Sequence, residues 1–92
     1  MITAFLLITA DREHLASLGP RLAACPGIVE VYTTTGEVDF IAKLAVPDLE
    51  ALAALVHDRL AEIEGIAATS THLAMRRYNP AEIQAAYDLG VD

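Results

Sequence analysis

Few side chains in this chain of 92 residues are of a chemically useful type, so their spacing decides what they can do. There are three histidines, His14, His57 and His72, and a single cysteine, Cys25. No two of them stand at the spacing of a metal site. His57 and Asp58 are adjacent, so on a helix they point in different directions and form no acid–base pair. His14 and His57 are expected on solvent-facing sides of helices, and His72 in a strand. Cys25 falls at the end of a predicted helix beside Pro26, where the helix dipole disfavours a thiolate. No serine occupies a Gly-x-Ser-x-Gly elbow, and no glycine-rich phosphate loop is present. Nothing in this set supports enzyme chemistry, a metal or a cofactor.

The run Thr33-Thr34-Thr35-Gly36-Glu37-Val38-Asp39 carries more. Gly36 permits a close approach to the backbone. Hydroxyls, freed backbone N–H and C=O groups and the Asp39 carboxylate together offer donors, acceptors and one negative charge. Such a set suits a zwitterion, and an amino acid is the simplest one. Thr69-Ser70-Thr71, on a neighbouring predicted strand, adds further hydroxyls. The plainer role for Asp39 is to stabilise the turn.

The elements that would hold these residues follow from periodicity. Ile2 to Thr9 is short, apolar and β-branched, and reads as a strand with both faces hydrophobic. Asp11 is expected to cap a first helix from Arg12 to Ala24, with Leu15, Leu18, Leu22 and Cys25 in one stripe. Pro20 should kink that helix or split it after Leu18. Ile28 to Thr34 and Val38 to Val46 read as strands joined by a hairpin turn at Thr35-Gly36-Glu37. Pro47 opens a second helix, with Asp48 and Glu50 in its first turn. Its stripe is Leu49, Leu52, Ala53, Val56, Leu60 and Ile63, and Gly65 ends it. Ala67 to Met75 is a fourth strand. Asn79-Pro80-Ala81-Glu82 reads as the start of a short C-terminal helix through Tyr87.

Strand, helix, Gly-Ile, strand occurs twice, around Gly27-Ile28 and Gly65-Ile66. Two such units give an α+β, ferredoxin-like βαββαβ sandwich. Right-handed crossovers put two helices on one face of a four-stranded antiparallel sheet, with strands one and three central. The division expected is 1–78 as one domain and 79–92 as a C-terminal helical tail. The other sheet face would leave several apolar side chains in water, each forfeiting about 1.5–3 kcal/mol. Such a patch predicts a homodimer that buries the face or pairs edge strands around it.

Composition excludes other classes. Apolar residues make up 54% of the chain, which is too many for disorder. One cysteine permits no internal disulfide, and a reduced, cytoplasmic compartment is expected. The net charge of −7 argues against direct binding to nucleic acid. The apolar N-terminal run is far short of the about 20 residues of a membrane span and has no basic start, so no membrane partner is expected.

In order and spacing, several segments resemble the ligand-binding (RAM) domain of the Lrp/AsnC regulators. They are Thr3-Ala4-Phe5-Leu6-Leu7-Ile8, Pro26-Gly27-Ile28-Val29-Glu30-Val31 and Thr35-Gly36-Glu37-Val38-Asp39. Val46-Pro47-Asp48-Leu49-Glu50-Ala51-Leu52, Ile63-Glu64-Gly65-Ile66 and Thr69-Ser70-Thr71-His72-Leu73 complete the set. The resemblance implies a RAM-like effector domain over 1–78. It implies dimers through the sheets, assembly to octameric rings, and an amino-acid effector in clefts between dimers. By the same resemblance the ligand-binding residues are Thr35, Gly36, Glu37, Asp39, Thr69 and Thr71. Family regulators carry an N-terminal helix-turn-helix domain. This chain opens at the first effector strand and so resembles the stand-alone type. Its expected role in transcription or amino-acid metabolism is therefore indirect, alone or with a full-length Lrp/AsnC regulator. Val38 stands where the family often has an aromatic, which alters the pocket wall. The fold also serves small dimeric α/β-barrel enzymes of the monooxygenase type, which would need a polar or histidine-bearing cavity between sheet and helices. A purely structural co-assembly partner is the other alternative.

Overall fold

A computed structural model describes residues 1–81. Strands β1 (Ile2–Ala10), β2 (Ile28–Thr33), β3 (Phe40–Val46) and β4 (Ile66–Leu73) form one sheet in the order β2-β3-β1-β4. Each neighbouring pair is antiparallel. Strands β1 and β3 are central, as two right-handed crossovers require. The ferredoxin-like α+β fold is therefore the one that the repeated strand–helix pattern predicts.

One face of the sheet is the core. Ala4, Leu6 and Ile8 of β1 alternate inward with Phe40, Ala42, Leu44 and Val46 of β3. Leu18, Leu22, Leu55 and Leu60 close over them from the helical layer. No polar side chain is buried there among the described residues.

Helix α1 runs Leu15–Ala23 after a 3₁₀ turn at Arg12–His14. Pro20 does not split it: the helix carries through. Gly19 lies against the Phe40 ring, and a Cβ there would sit 3.3 Å from Phe40 Cε1. Asp11 occupies the position before the 3₁₀ turn, yet its side chain makes no capping bond.

Helix α2 begins at Leu49, with Asp48 as the cap: Ala51 N donates to Asp48 Oδ1 at 2.8 Å. Asp48 thus precedes the first turn. The regular α-helix ends at Ala53; a π-helical stretch, Ala54–Arg59, and a 3₁₀ turn, Leu60–Glu62, complete it. This changes the buried stripe. An α-period seats Leu49 and Ala53 inward, but Leu49 is 59% exposed, Ala53 is exposed, and Leu55 is buried instead. The Leu60 N–H donates to the Leu55 carbonyl, and this wider turn brings Leu55 and Leu60 onto one inward face.

Strand β4 lies beyond the helical layer, and all of it except Ile66 is exposed. Its pairing with β1 continues at Ala74, whose N–H donates to the Thr3 carbonyl at 2.9 Å. Asn79 Oδ1 accepts from Ala81 N at 2.9 Å, the expected cap. The predicted helix beyond it lies outside the described residues. No described helix is long and apolar enough to cross a membrane.

Candidate functional site

The β2–β3 connection is longer than a three-residue turn. It spans Thr34 to Asp39, and β3 starts at Phe40 because Asp39 is used elsewhere. The Asp39 N–H donates to the Ile8 carbonyl at 2.9 Å, and Asp39 Oδ2 accepts from Ala10 N at 2.7 Å. Two further bonds brace the loop. Thr34 N donates to the Asp39 carbonyl at 3.1 Å, and Thr34 Oγ1 to the Val38 carbonyl at 2.9 Å. A half-buried carboxylate thus ties the hairpin to the end of the central strand β1. That is the turn-stabilising role of Asp39.

The braced base leaves the tip free. Thr35, Gly36 and Glu37 are exposed, and none of their N–H groups donates a hydrogen bond among the described residues. Gly36 sits at φ 103° with nothing within 4 Å of where a Cβ would be. Only glycine holds this conformation without strain, and the space beside it is open. Behind the tip is a cleft of about 410 Å³, bounded by Leu15, Gly19, Thr33, Thr34, Asp39 and Phe40. Asp39 Oδ1, unlike Oδ2, has no hydrogen-bond partner among the described residues.

Of the expected site residues, Asp39 lines this cleft, while Thr35, Gly36 and Glu37 are exposed on the same loop and do not line it. Thr69 and Thr71 do not join them. Thr69 pairs with Ile8, which pairs with Phe40; Thr71 pairs with Leu6. Two strand spacings, about 10 Å, separate Thr69 from the Phe40 backbone. Thr33, Thr34, Leu15 and Gly19 are cleft residues that sequence reading missed. The Gly19-Pro20 pair was the one local signal, since a glycine in a helix interior marks a close approach.

The open face of the sheet is the second feature. Strand pairing sets Tyr32, Ile41, Leu7 and Ser70 in one row across it, and Glu30, Lys43, Phe5 and His72 in the next. Phe5 is 39% exposed and Tyr32 56%. The charge of nearby Glu30 holds the Tyr32 phenol above its usual value of 10.0. Ser70 Oγ and His72 Nε2 are 3.1 Å apart on the exposed edge strand. His14 is half-buried, not solvent-facing: its Nδ1 is buried without a partner and its Nε2 lies 3.8 Å from Glu64. Gly65 presses on it, since a Cβ there would come within 2.5 Å of His14 Cβ. Among the described residues no three metal-ligating side chains gather.

A family model described as the Lrp/AsnC ligand binding domain matches residues 3–83. The chain belongs to this family. The HTH-type transcriptional regulator FL11 of Pyrococcus furiosus is 33% identical over 75 residues, 82% of this chain and 49% of the regulator. The chain thus spans about half the length of the curated relatives it matches. The crystal structure of TTHA0845 from Thermus thermophilus superposes with a TM-score of 0.80 at 38% identity. That match covers 86% of this chain and 99% of TTHA0845. The transcriptional regulator NMB0573 of Neisseria meningitidis, solved as an L-Met complex, shares the fold at a TM-score of 0.78 and 16% identity. It is covered over 52% of its length, and this chain over 85%. The curated relatives of this Lrp/AsnC ligand-binding domain are thus transcriptional regulators.

Proposed function

We propose that this Lrp/AsnC domain binds a free amino acid at the Thr34–Asp39 turn, in a cleft completed when two dimers meet, and so biases its own assembly. The half-engaged Asp39 carboxylate carries the reading. Oδ2 is held by Ala10, which fixes the group in place, while Oδ1 is left to take the ligand's ammonium. The unbonded N–H groups of Thr35, Gly36 and Glu37 are suited to its carboxylate. In this reading Thr69 and Thr71 act only if a second copy presents them.

Self-association rests on the open face. Phe5, Leu7, Tyr32 and Ile41 form a patch that the helical layer cannot reach, and β4 offers an unpaired edge. A homodimer through this face, assembling further to an octamer, buries it. An effector between dimers shifts assembly only by its differential affinity for one state. The regulatory output is indirect, through co-assembly with a full-length helix-turn-helix regulator, because the acidic surface does not favour nucleic acid. The chain acts as no enzyme in this reading.

Calorimetry with each of the twenty amino acids, L-Met among them, tests this together with light scattering. Saturable binding of at least one, with a change in mass, is expected. Asp39→Asn keeps an acceptor for Ala10 and removes the charge, so affinity should fall at least tenfold. Phe5→Ser should weaken self-association. No heat from any amino acid with the assembled protein refutes the effector reading, and a stable monomer at all concentrations refutes the assembly.

A further inference from the structure

Strand pairing fixes which side chains share a level on the open face. Glu30 of β2, Lys43 of β3, Phe5 of β1 and His72 of β4 form one row, from one free edge of the sheet to the other. Tyr32, Ile41, Leu7 and Ser70 form the next. The two rows lie on either side of Leu6, the middle residue of β1. One end of the first row is an anion. The other is an imidazole whose Nε2 is engaged by Ser70 Oγ, which leaves Nδ1 open. Within its own chain Glu30 neighbours Lys43 across the strand pair and Tyr32 along the strand, and no ion pair within 4.0 Å ties it to Lys43. Arg76 and Arg77, which follow β4, share a cavity with Phe5 and Lys43, so that part of the face is rich in cations.

We propose that the open face mates with a second copy about a two-fold axis parallel to the strands, and that its Glu30–His72 row selects which chains can pair. This rests on the self-association reading above and adds its geometry and its selectivity. Sheets packed face to face lie about 10 Å apart with their strands nearly aligned. A symmetric pair then has its two-fold axis either parallel or perpendicular to the strands. The parallel axis lays β2 over the partner's β4 and β3 over the partner's β1, and it brings each row onto its own copy. Glu30 then lies over the partner's His72, Lys43 over the partner's Phe5, Ile41 over the partner's Leu7 and Tyr32 over the partner's Ser70. An anion meets a hydrogen-bond donor in cation-rich surroundings, a cation meets an aromatic ring, and apolar meets apolar. The perpendicular axis, crossing beside Leu6, lays each strand over its own copy and the first row over the second. Lys43 then falls on the partner's Ile41, a desolvated cation with no anion opposite. The face therefore fits the parallel axis. A full-length regulator joins a mixed dimer when its own face carries an acid on β2 and a donor on β4, and a cation in place of the acid turns it away.

Native mass spectrometry and sedimentation of the full chain test this, with one variant carried on isotope-labelled protein. Glu30→Lys sets a cation over the partner's His72, and His72→Glu sets an acid over the partner's Glu30. Each variant alone should dimerise about tenfold more weakly than the native chain, or worse. Mixed, the two place opposite charges at one contact and the native pair at the other, so the heterodimer should predominate over both homodimers. His57→Glu, on the helical layer, should dimerise like the native chain and mix with it statistically. If either charge variant folds poorly, Glu30→Gln and His72→Gln take their place in a double-mutant cycle, where the two losses should fall short of additive by about threefold. Additive losses overturn the proposal. So does a mixture of the charge variants that forms no more heterodimer than the His57→Glu control. Either of those results with a native dimer leaves the self-association reading standing, whereas a native chain that stays monomeric overturns both.

Discussion

At one end of β1 the Asp39 carboxylate is bonded to the main chain of Ala10; at the other, Lys43, Arg76 and Arg77 line a corner where no described carboxylate lies within 4.0 Å of them, although Glu30 is the cross-strand partner of Lys43. Both ends face a cavity of similar size, about 410 and 430 Å³. They differ in what the fold itself asks of the charge. Asp39 has structural work as well as a free oxygen, so its removal disturbs folding and binding together. The corner cations have no described ion pair, so their removal should leave the fold alone. Charge that a fold does not use internally is the better pointer to an external partner.

The strand that joins the two ends sets the scale. Leu6, fully buried at the middle of β1, packs against both β3 and the helices. Leu6→Ala should cost about 2–5 kcal/mol in urea unfolding and damage both ends at once. If the Asp39 cleft kept its ligand affinity in that variant, the two ends would be less tightly joined through β1 than the fold implies. Next comes Asp39→Ala, which strands the Ala10 N–H in a half-buried place. It should cost about 1–3 kcal/mol. Asp39→Asn, which keeps an acceptor, should cost clearly less. Equal losses for the two would mean that the charge, not the hydrogen bond, braces the hairpin. At the opposite corner, Arg76→Gln/Arg77→Gln should move stability by no more than about 0.5 kcal/mol, since both side chains are exposed. A larger loss would show hidden structural work there and narrow the contrast.

The smallest effect is on Tyr32, midway along the open face. Its phenol is raised chiefly by the charge of Glu30, so the folded chain holds that proton to higher pH than the unfolded one. The sign follows from linkage: this contribution is intact below 10.0 and is lost as pH rises through the folded value. Glu30→Gln should bring the phenolate absorbance transition down toward 10.0. No shift would remove Glu30 as the cause.

Much of this was legible in the residue pattern. The doubled strand–helix–Gly-Ile unit predicted the sheet order. The stripe of α2 was misread because an α-period seats Leu49 and Ala53 inward, whereas a π-turn seats Leu55. Backbone hydrogen-bond phase is set by what the helix packs against and leaves no local sequence mark. Pro20 was expected to kink α1 or split it after Leu18, and the helix runs through it unsplit; Gly19 beside it admits the Phe40 ring. Gly36 and Asp39 were readable as a turn. The bond from Ala10 to Asp39 was not, because twenty-nine positions separate the two residues.

The sequence by itself determined the fold class and the presence of a glycine-bearing acidic turn, because periodicity and backbone permissiveness are local properties. Tertiary structure alone decided that Thr69 and Thr71 lie two strands from Phe40. It also decided that one oxygen of Asp39 is already taken, and that Lys43 lines one cavity with Arg76 and Arg77. Those are matters of register between distant strands, and register comes from packing the whole core at once, which no single segment encodes.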